Sequence, residues 1–223
     1  MGYYREKLAA ERLRRCYEVA PPAARAYLEA EIDLVLGYCT AASTVLELGC
    51  GYGRVLERMG ERALLAVGVD TSLASLGLGR RLLAGREAIR LLAMDALRMG
   101  FPDGRFDLTV CVQNGISAFA CDQRQLVAEA VRVTRPGGRV LFSSYAERFW
   151  PGRLEWFEAQ AAHGLIGEID QEATGDGVIV CRDGFRATTV DAAGFAALAA
   201  GLGVEPRIVE VAGSSLLCEL VVP

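Results

Sequence analysis

The chain has 223 residues, of which 52% are hydrophobic and 23% charged, with a formal net charge of −4. Those values suit a folded globular chain large enough to bury a core, and no apolar run reaches the roughly 20 residues of a membrane-spanning helix. The acidic balance argues against a nucleic-acid partner, which needs a clustered positive face.

Arg12, Arg14 and Arg15 come nearest to such a face, but they alternate with Glu6, Glu11 and Glu18 and read as a solvated helix surface. Seven cysteines without a Cys-x-x-Cys pair, and one histidine, supply a metal site poorly, so no metal is expected. The first residues, Met1 to Lys7, turn charged at once, and a cytoplasmic address without membrane attachment is the expectation.

Residues 3 to 38 read as two amphipathic helices broken at Pro21-Pro22, with apolar stripes at Leu8, Leu13, Tyr17 and at Tyr27, Leu28, Ile32, Leu36. A short strand, Thr44 to Leu48, runs into glycines, and Val55, Leu56 and Met59 open a helix beyond them. A second strand, Ala63 to Val69, ends at Asp70; a helical stretch and a strand from Ile89 to Ala93 follow. Leu108 to Val112 is a buried strand, and residues 122 to 134 form a helix stopped by Arg135-Pro136-Gly137-Gly138. Arg139 to Ser143 returns as a strand. This alternation predicts βαβ units and a mostly parallel sheet.

The pattern changes after residue 144. Residues 145–190 carry both tryptophans and the only histidine, and read as a helix followed by a short β-rich excursion. A helix from Ala192 to Gly201 and a hairpin, Arg207 to Val211 and Ser215 to Val222, close the chain. One domain, 1–223, is expected: a helical cap (1–40), a cofactor-binding core (41–144), a substrate-covering insertion (145–190) and a closing helix and hairpin (191–223).

The segment Glu47-Leu48-Gly49-Cys50-Gly51-Tyr52-Gly53 carries the chemistry. A strand that runs into glycines and then a helix lets a ligand approach the backbone closely. The dinucleotide fingerprint wants its third glycine at position 54, where Arg54 stands; the glycine arrives one residue early at Gly53. Glu47 gains nothing from a pyrophosphate but attracts an ammonium, which suits an amino-acid cofactor better than NAD. Seventeen residues after Gly53, Asp70 ends a strand and can accept two ribose hydroxyls, and Asp95 can accept from an adenine amino group. Either acid, taken alone, equally suits a helix N-cap.

This loop resembles motif I of the class I S-adenosylmethionine-dependent methyltransferases. Asp70, with Thr71 beside it, matches their ribose-binding position, and Asp95-Ala96 their adenine contact. The approach Phe101 to Asp107 and the turn Arg135 to Gly138 resemble those before their fourth and fifth strands. The resemblance covers residues 44 to 144 well. It implies a doubly wound Rossmann-like seven-stranded α/β sheet of order 3-2-1-4-5-7-6 with an antiparallel last strand. It also implies S-adenosyl-L-methionine as cofactor, S-adenosyl-L-homocysteine as product, and Glu47, Gly49, Cys50, Gly51, Gly53, Asp70, Thr71, Asp95, Ala96, Gln113 and Asn114 around them.

The loop Gln113-Asn114-Gly115-Ile116-Ser117 faces the transferable methyl group in that superfamily, and here it lacks the Asn/Asp-Pro-Pro-Tyr/Phe run of enzymes that methylate bases or glutamine amides. A small-molecule acceptor is therefore expected, with a macromolecule methyltransferase or a cofactor binder without transferase activity as alternatives. Tyr3, Tyr4, Tyr17, Ser117, Tyr145, Trp150 and Trp156 are the candidates for a lid over the acceptor, although aromatics on such helices also suit a core. His163 is the one weak candidate for a general base; Gly164 after it suits a helix cap instead.

Overall fold

Proline sets one helix boundary and a left-handed alanine sets the one before it. Ahead of α3 (Pro22–Tyr38) the chain forms α1 (Tyr3–Glu6) and α2 (Glu11–Glu18), so the expected two helices are three. Pro22 sits at the start of α3, where its missing N–H forfeits no hydrogen bond. The earlier break falls at Ala10, whose φ of 51° cannot continue a helix; its N–H donates to Ser75 Oγ at 2.9 Å. The computed structural model describes residues 3–223; Met1 and Gly2, the first residues of the expected cap, lie outside them. Among the described residues no helix is long and apolar enough to cross a membrane.

The chain then alternates: β1 (Thr44–Leu48), α4 (Arg54–Gly60), β2 (Leu65–Asp70), α5 (Leu73–Leu82), β3 (Ile89–Ala93), β4 (Phe106–Cys111), α6 (Gly115–Ala118), α7 (Gln123–Val133) and β5 (Thr134–Tyr145). Side chains cap the helices where the sequence supplies them: Ser72 accepts from Ser75 N–H at the head of α5, and Asp122 from Arg124 and Gln125 N–H at the head of α7. After β5 come α8 (Trp150–Ala162), a two-stranded ribbon of β6 (Ile179–Val180) and β7 (Arg186–Ala187), α9 (Ala192–Ala199), β8 (Pro206–Val211) and β9 (Ser215–Val221).

The main sheet has the order β3-β2-β1-β4-β5-β9-β8. With the β6–β7 ribbon set apart, this is the 3-2-1-4-5-7-6 order that the sequence implied, and β9 runs antiparallel to both neighbours. β1 is buried at every residue, as a strand covered by helices on both faces must be. Val45 packs with Ile32 of α3 and Leu56 of α4 on one face, and Leu46 with Leu126 of α7 and Phe195 of α9 on the other. The order reverses between β1 and β4, so a crevice opens at their carboxyl ends.

Several strand and helix bounds shift by a residue or two, and one boundary differs in kind. Arg135-Pro136-Gly137-Gly138 does not separate α7 from a strand; β5 already begins at Thr134, which pairs with Phe106, and the register then jumps to Leu108 with Arg139. The turn is looped out of a strand that continues past it. Its polar groups are met from the other side, where Gly137 N–H donates to Val222 O and Val222 N–H to Gly138 O.

The insertion and the N-terminal helices share a core of their own, in which Leu8 and Cys16 pack with Phe157, Ile179 and Phe185. A buried carboxylate joins α3 to the sheet. Glu31 is fully buried, and its Oε2 accepts from Gln113 N–H at 2.6 Å and from Ser143 Oγ at 2.9 Å, while Oε1 accepts from Ser215 Oγ. Burial pushes its carboxyl upward, and those donors pull it part of the way back. Glu31→Ala leaves the Gln113 N–H without a partner and should lower the unfolding free energy by about 2–3 kcal/mol, read from the urea midpoint. Glu31→Gln keeps an acceptor for that N–H and should cost less than half as much.

Candidate active site

A cleft of about 470 Å³ occupies the crevice at the carboxyl ends of the parallel strands. Its floor is the loop after β1. Gly49 and Gly51 have φ of 72° and 56°, a region that only glycine enters cheaply. The N–H groups of Gly49 and Cys50 both donate to Val69 O on β2. A Cβ on Gly49 would lie 2.4 Å from the Phe119 ring, so the loop and Phe119 close on each other with no side chain between them. Gly53 is not on the cleft wall: with φ of 90° it heads α4, where a Cβ would strike Leu83 at 2.6 Å. Its role in the structure is packing.

Glu47 lines the cleft at 5% exposure, and its Oε2 has no hydrogen-bond partner. Burial pushes its carboxyl up to about 8, with nearby Asp70 adding to the rise and Arg54 opposing it. An unpaired carboxylate oxygen at this depth is costly unless something positive meets it. Arg54, where the dinucleotide pattern has glycine, stacks over the Tyr17 ring at 4.4 Å and donates to Gln113 Oε1 at 2.5 Å.

Asp70 accepts Gly51 N–H through Oδ2 at 2.8 Å and Ser72 N–H through Oδ1 at 2.7 Å. The helix cap is Ser72 and not Asp70; Asp70 braces the backbone of two loops, and each of its oxygens keeps lone-pair capacity for a ligand. Asp95, exposed on the cleft rim beside Thr71 and Ala96, accepts Leu97 N–H at 2.9 Å in the same manner. Gln113 and Asn114 also line the cleft, yet their side chains are engaged elsewhere. Besides Arg54, Gln113 reaches Leu28 O, while Asn114 donates to Thr188 O at 3.0 Å and accepts from Ser144 Oγ at 2.9 Å.

The lid candidates divide. Tyr4, Tyr17, Tyr145 and Trp156 line the cleft; Tyr3, Trp150 and Ser117 do not. The Tyr3 hydroxyl donates to Asp183 at 2.5 Å and its ring packs edge-on against Phe185. Trp150 packs into the core shared by the N-terminal helices and the insertion, and the Ser117 hydroxyl is buried in α6 without a partner. His163 follows the last turn of α8, is exposed, and places Nδ1 2.8 Å from Ala159 O. That is the cap arrangement, away from the cleft. Phe119, Arg54 and Gln160 are among the lining residues that were not candidates from the sequence. Of these only Arg54 carried a local signal, as the residue that breaks the dinucleotide pattern. Among the described residues no three His, Cys, Asp or Glu side chains gather as metal ligands.

Residues 45–138, less than half of the chain, match the methyltransferase domain family. Among curated relatives, the demethylmenaquinone methyltransferase of Thermus thermophilus is 37% identical over 113 residues, covering 49% of this chain and 50% of that protein. The 2-methyl-6-phytyl-1,4-hydroquinone methyltransferase of Synechocystis is 27% identical over 139 residues, covering 57% and 42%. The match thus spans about half of those relatives or less. The crystal structure of the PH0226 protein from Pyrococcus horikoshii shares the fold across 99% of this chain and 98% of its own, with a TM-score of 0.68 and 23% identity.

Helix α1 is tied to the turn before β7 at Asp183, which accepts from Tyr3 OH and Phe185 N–H while its backbone carbonyl holds Lys7 Nζ. Asp183→Ala should speed amide exchange across residues 3–10 by about tenfold, measured by hydrogen–deuterium exchange, and leave the strands of the main sheet as protected as before.

Proposed function

We propose that the chain is an S-adenosylmethionine-dependent methyltransferase acting on a small molecule. The observation that carries the reading is Glu47: a buried carboxylate oxygen, without a partner, on the wall of a cleft floored by close-approach glycines. The residues present fit the cofactor. Glu47 would take its ammonium, the backbone at Gly49 and Gly51 would lie against its amino-acid and sugar portion, Asp70 would accept from ribose hydroxyls, and Asp95 and Ala96 would meet the base.

When bound, the cofactor supplies a methyl group on a cationic sulfur that is already electrophilic. The chain's own contribution is alignment and the exclusion of water, and the rings of Tyr17, Tyr145 and Trp156 wall the side of the cleft that follows β5. No histidine lies there, so proton removal by His163 has no part in the reading. The named relatives act on ring compounds, which agrees with an aromatic-walled acceptor space. The same reading places the protein in the cytoplasm, in keeping with seven free thiols.

Calorimetry should show S-adenosylmethionine and S-adenosylhomocysteine binding and NAD failing to bind at matched concentration, and labelled cofactor should lose its methyl group to a member of a small-molecule panel. Tight NAD binding, or transfer only to protein or nucleic acid, would overturn the proposal.

The Glu47 carboxyl also fixes a pH dependence. With its titration near 8 in the free protein, Glu47 is mostly protonated at pH 7, whereas a bound ammonium holds it ionised. Binding then releases a proton. S-adenosylhomocysteine affinity should rise with pH by up to about tenfold per unit between pH 6 and 7 and level off above 8. Glu47→Gln should flatten that slope and weaken binding throughout.

A further inference from the structure

Helix α8 turns four residues inward, Arg153, Trp156, Phe157 and Gln160, at the three- and four-residue spacing of a single face. Trp156, Phe157 and Gln160 line the cleft, and Arg153, one turn earlier, stands behind its wall. The Arg153 guanidinium lies 4.6 Å from the ring of Tyr145, which does line the cleft. It donates to Gly177 O at 2.7 Å and Ala187 O at 3.0 Å, but its Nε is buried without a partner. The residue is 1% exposed. Among the described residues no carboxylate pairs with it; the ionisable groups that act on it are the phenols of Tyr145, Tyr27 and Tyr4. A neutral amide would serve those carbonyls, whereas a full cation held out of water without a counter-charge is far more costly. The charge itself therefore calls for an anion nearby.

The cleft divides by charge. Its carboxylates, Glu47, Asp70 and Asp95, stand at the ends of β1, β2 and β3. Helix α8 follows β5, across β1 from β2 and β3, and among the described lining residues no carboxylate or histidine stands on that side. Burial pushes the phenols of Tyr4, Tyr17 and Tyr145 up, so they donate hydrogen bonds and do not take protons. An acceptor that must shed a proton finds no base there, and one that arrives ionised needs none. A second guanidinium, Arg54, lies over the Tyr17 ring at 4.4 Å. Both tyrosine rings thus already face a cation, which argues against a cationic acceptor.

We infer that the acceptor is a carboxylic acid with an apolar body, bound as its carboxylate by the Tyr145 hydroxyl, with Arg153 behind that ring as the counter-charge. The inference rests on the methyl-transfer reading of the cleft and names its substrate class. One guanidinium suits a monoanion, which a carboxylate is at neutral pH. A carboxylate oxygen attacks the methyl carbon, the carbon–sulfur bond breaks, and its electron pair stays on sulfur. The products are a methyl ester and a neutral thioether, and no proton moves. Opposite charges cancel in that step, which a site shielded from water favours. Arg153 is a positioning residue that acts through Tyr145.

The test pairs octanoate with octanamide and phenylacetate with phenylacetamide, matched in shape and differing in charge. Binding is measured at neutral pH on protein saturated with S-adenosylhomocysteine, for wild type, Tyr145→Phe, Arg153→Lys and Arg153→Met. Wild type should bind at least one acid about tenfold more tightly than its amide. Tyr145→Phe and Arg153→Met should lose most of that preference. Arg153→Lys, which restores the charge, should keep part of it, a pattern that lost packing alone does not give. Where Arg153→Met unfolds, Tyr145→Phe carries the test alone. With labelled cofactor, the favoured acid should give a product that releases labelled methanol in alkali. The inference is overturned if the amides bind wild type as tightly as their acids, if neither acid binds, if Tyr145→Phe keeps the full preference, or if the labelled product is stable to alkali. Failure of S-adenosylhomocysteine itself to bind wild type would instead remove the methyl-transfer reading and this inference with it.

Discussion

A carboxylate removed from water must be surrounded by donors, and at Glu31 that requirement organises the sheet's working end. Its donors come from the second residue after β4, from β5 and from the first residue of β9, which lie 82, 112 and 184 positions away in sequence. Satisfying one side chain therefore fixes three strand ends relative to α3. The most demanding of them is Gln113. It and Asn114 both have φ of 58°, a backbone region that side chains other than glycine enter only under constraint. The constraint is visible on both residues: Glu31 holds the Gln113 N–H, and the Asn114 side chain bridges Ser144 and Thr188. Ser144 in turn accepts Val190 N–H, so the network that shapes the loop also pins the chain where it leaves the insertion.

On the other side of the cleft the constraint is electrostatic. Asp70 spends one hydrogen bond from each oxygen on the backbone that it braces, and retains capacity for a ligand. Glu47 has no such occupation and sits pushed up to about 8 by burial, a group held ready at the cost of free-protein stability. Arg54 lowers that cost without pairing, since its guanidinium is committed to Tyr17 and Gln113. The residue that departs from the dinucleotide pattern thus links the loop after β1, the loop after β4 and the roof.

Burial and local turn chemistry were legible in the sequence; conformations forced by distant partners were not. β1 and β3 were read at their observed bounds because a short apolar run between breakers has one economical placement, and the sheet order followed from the motif resemblance. The break at Ala10 carried no signal, because an alanine at positive φ is imposed by surroundings that include Ser75, 65 residues away. The Arg135 to Gly138 turn read as a boundary because its composition is that of a breaker; only β4 and the residues around Val222, on either side, keep it inside a strand. Tyr3 and Trp150 have the composition of lid residues, but whether an aromatic faces the cleft or the insertion's own core depends on where Phe185 lies.

The same distinction explains why the two parts of the cleft were unequally readable. The part floored by the glycine loop is assembled from the ends of successive strands, each contributing residues within a few positions of a glycine or an acid, so its pattern is written locally and survives as a motif. The aromatic wall beside it brings Tyr17 against Trp156 across 139 positions, with Gln160 one turn further along α8, and no spacing rule connects them. The family match ends at residue 138, before α8 begins. The donors to Glu31 and the glycine loop come from other elements, so the cleft-facing side of α8 can vary in sequence without touching either.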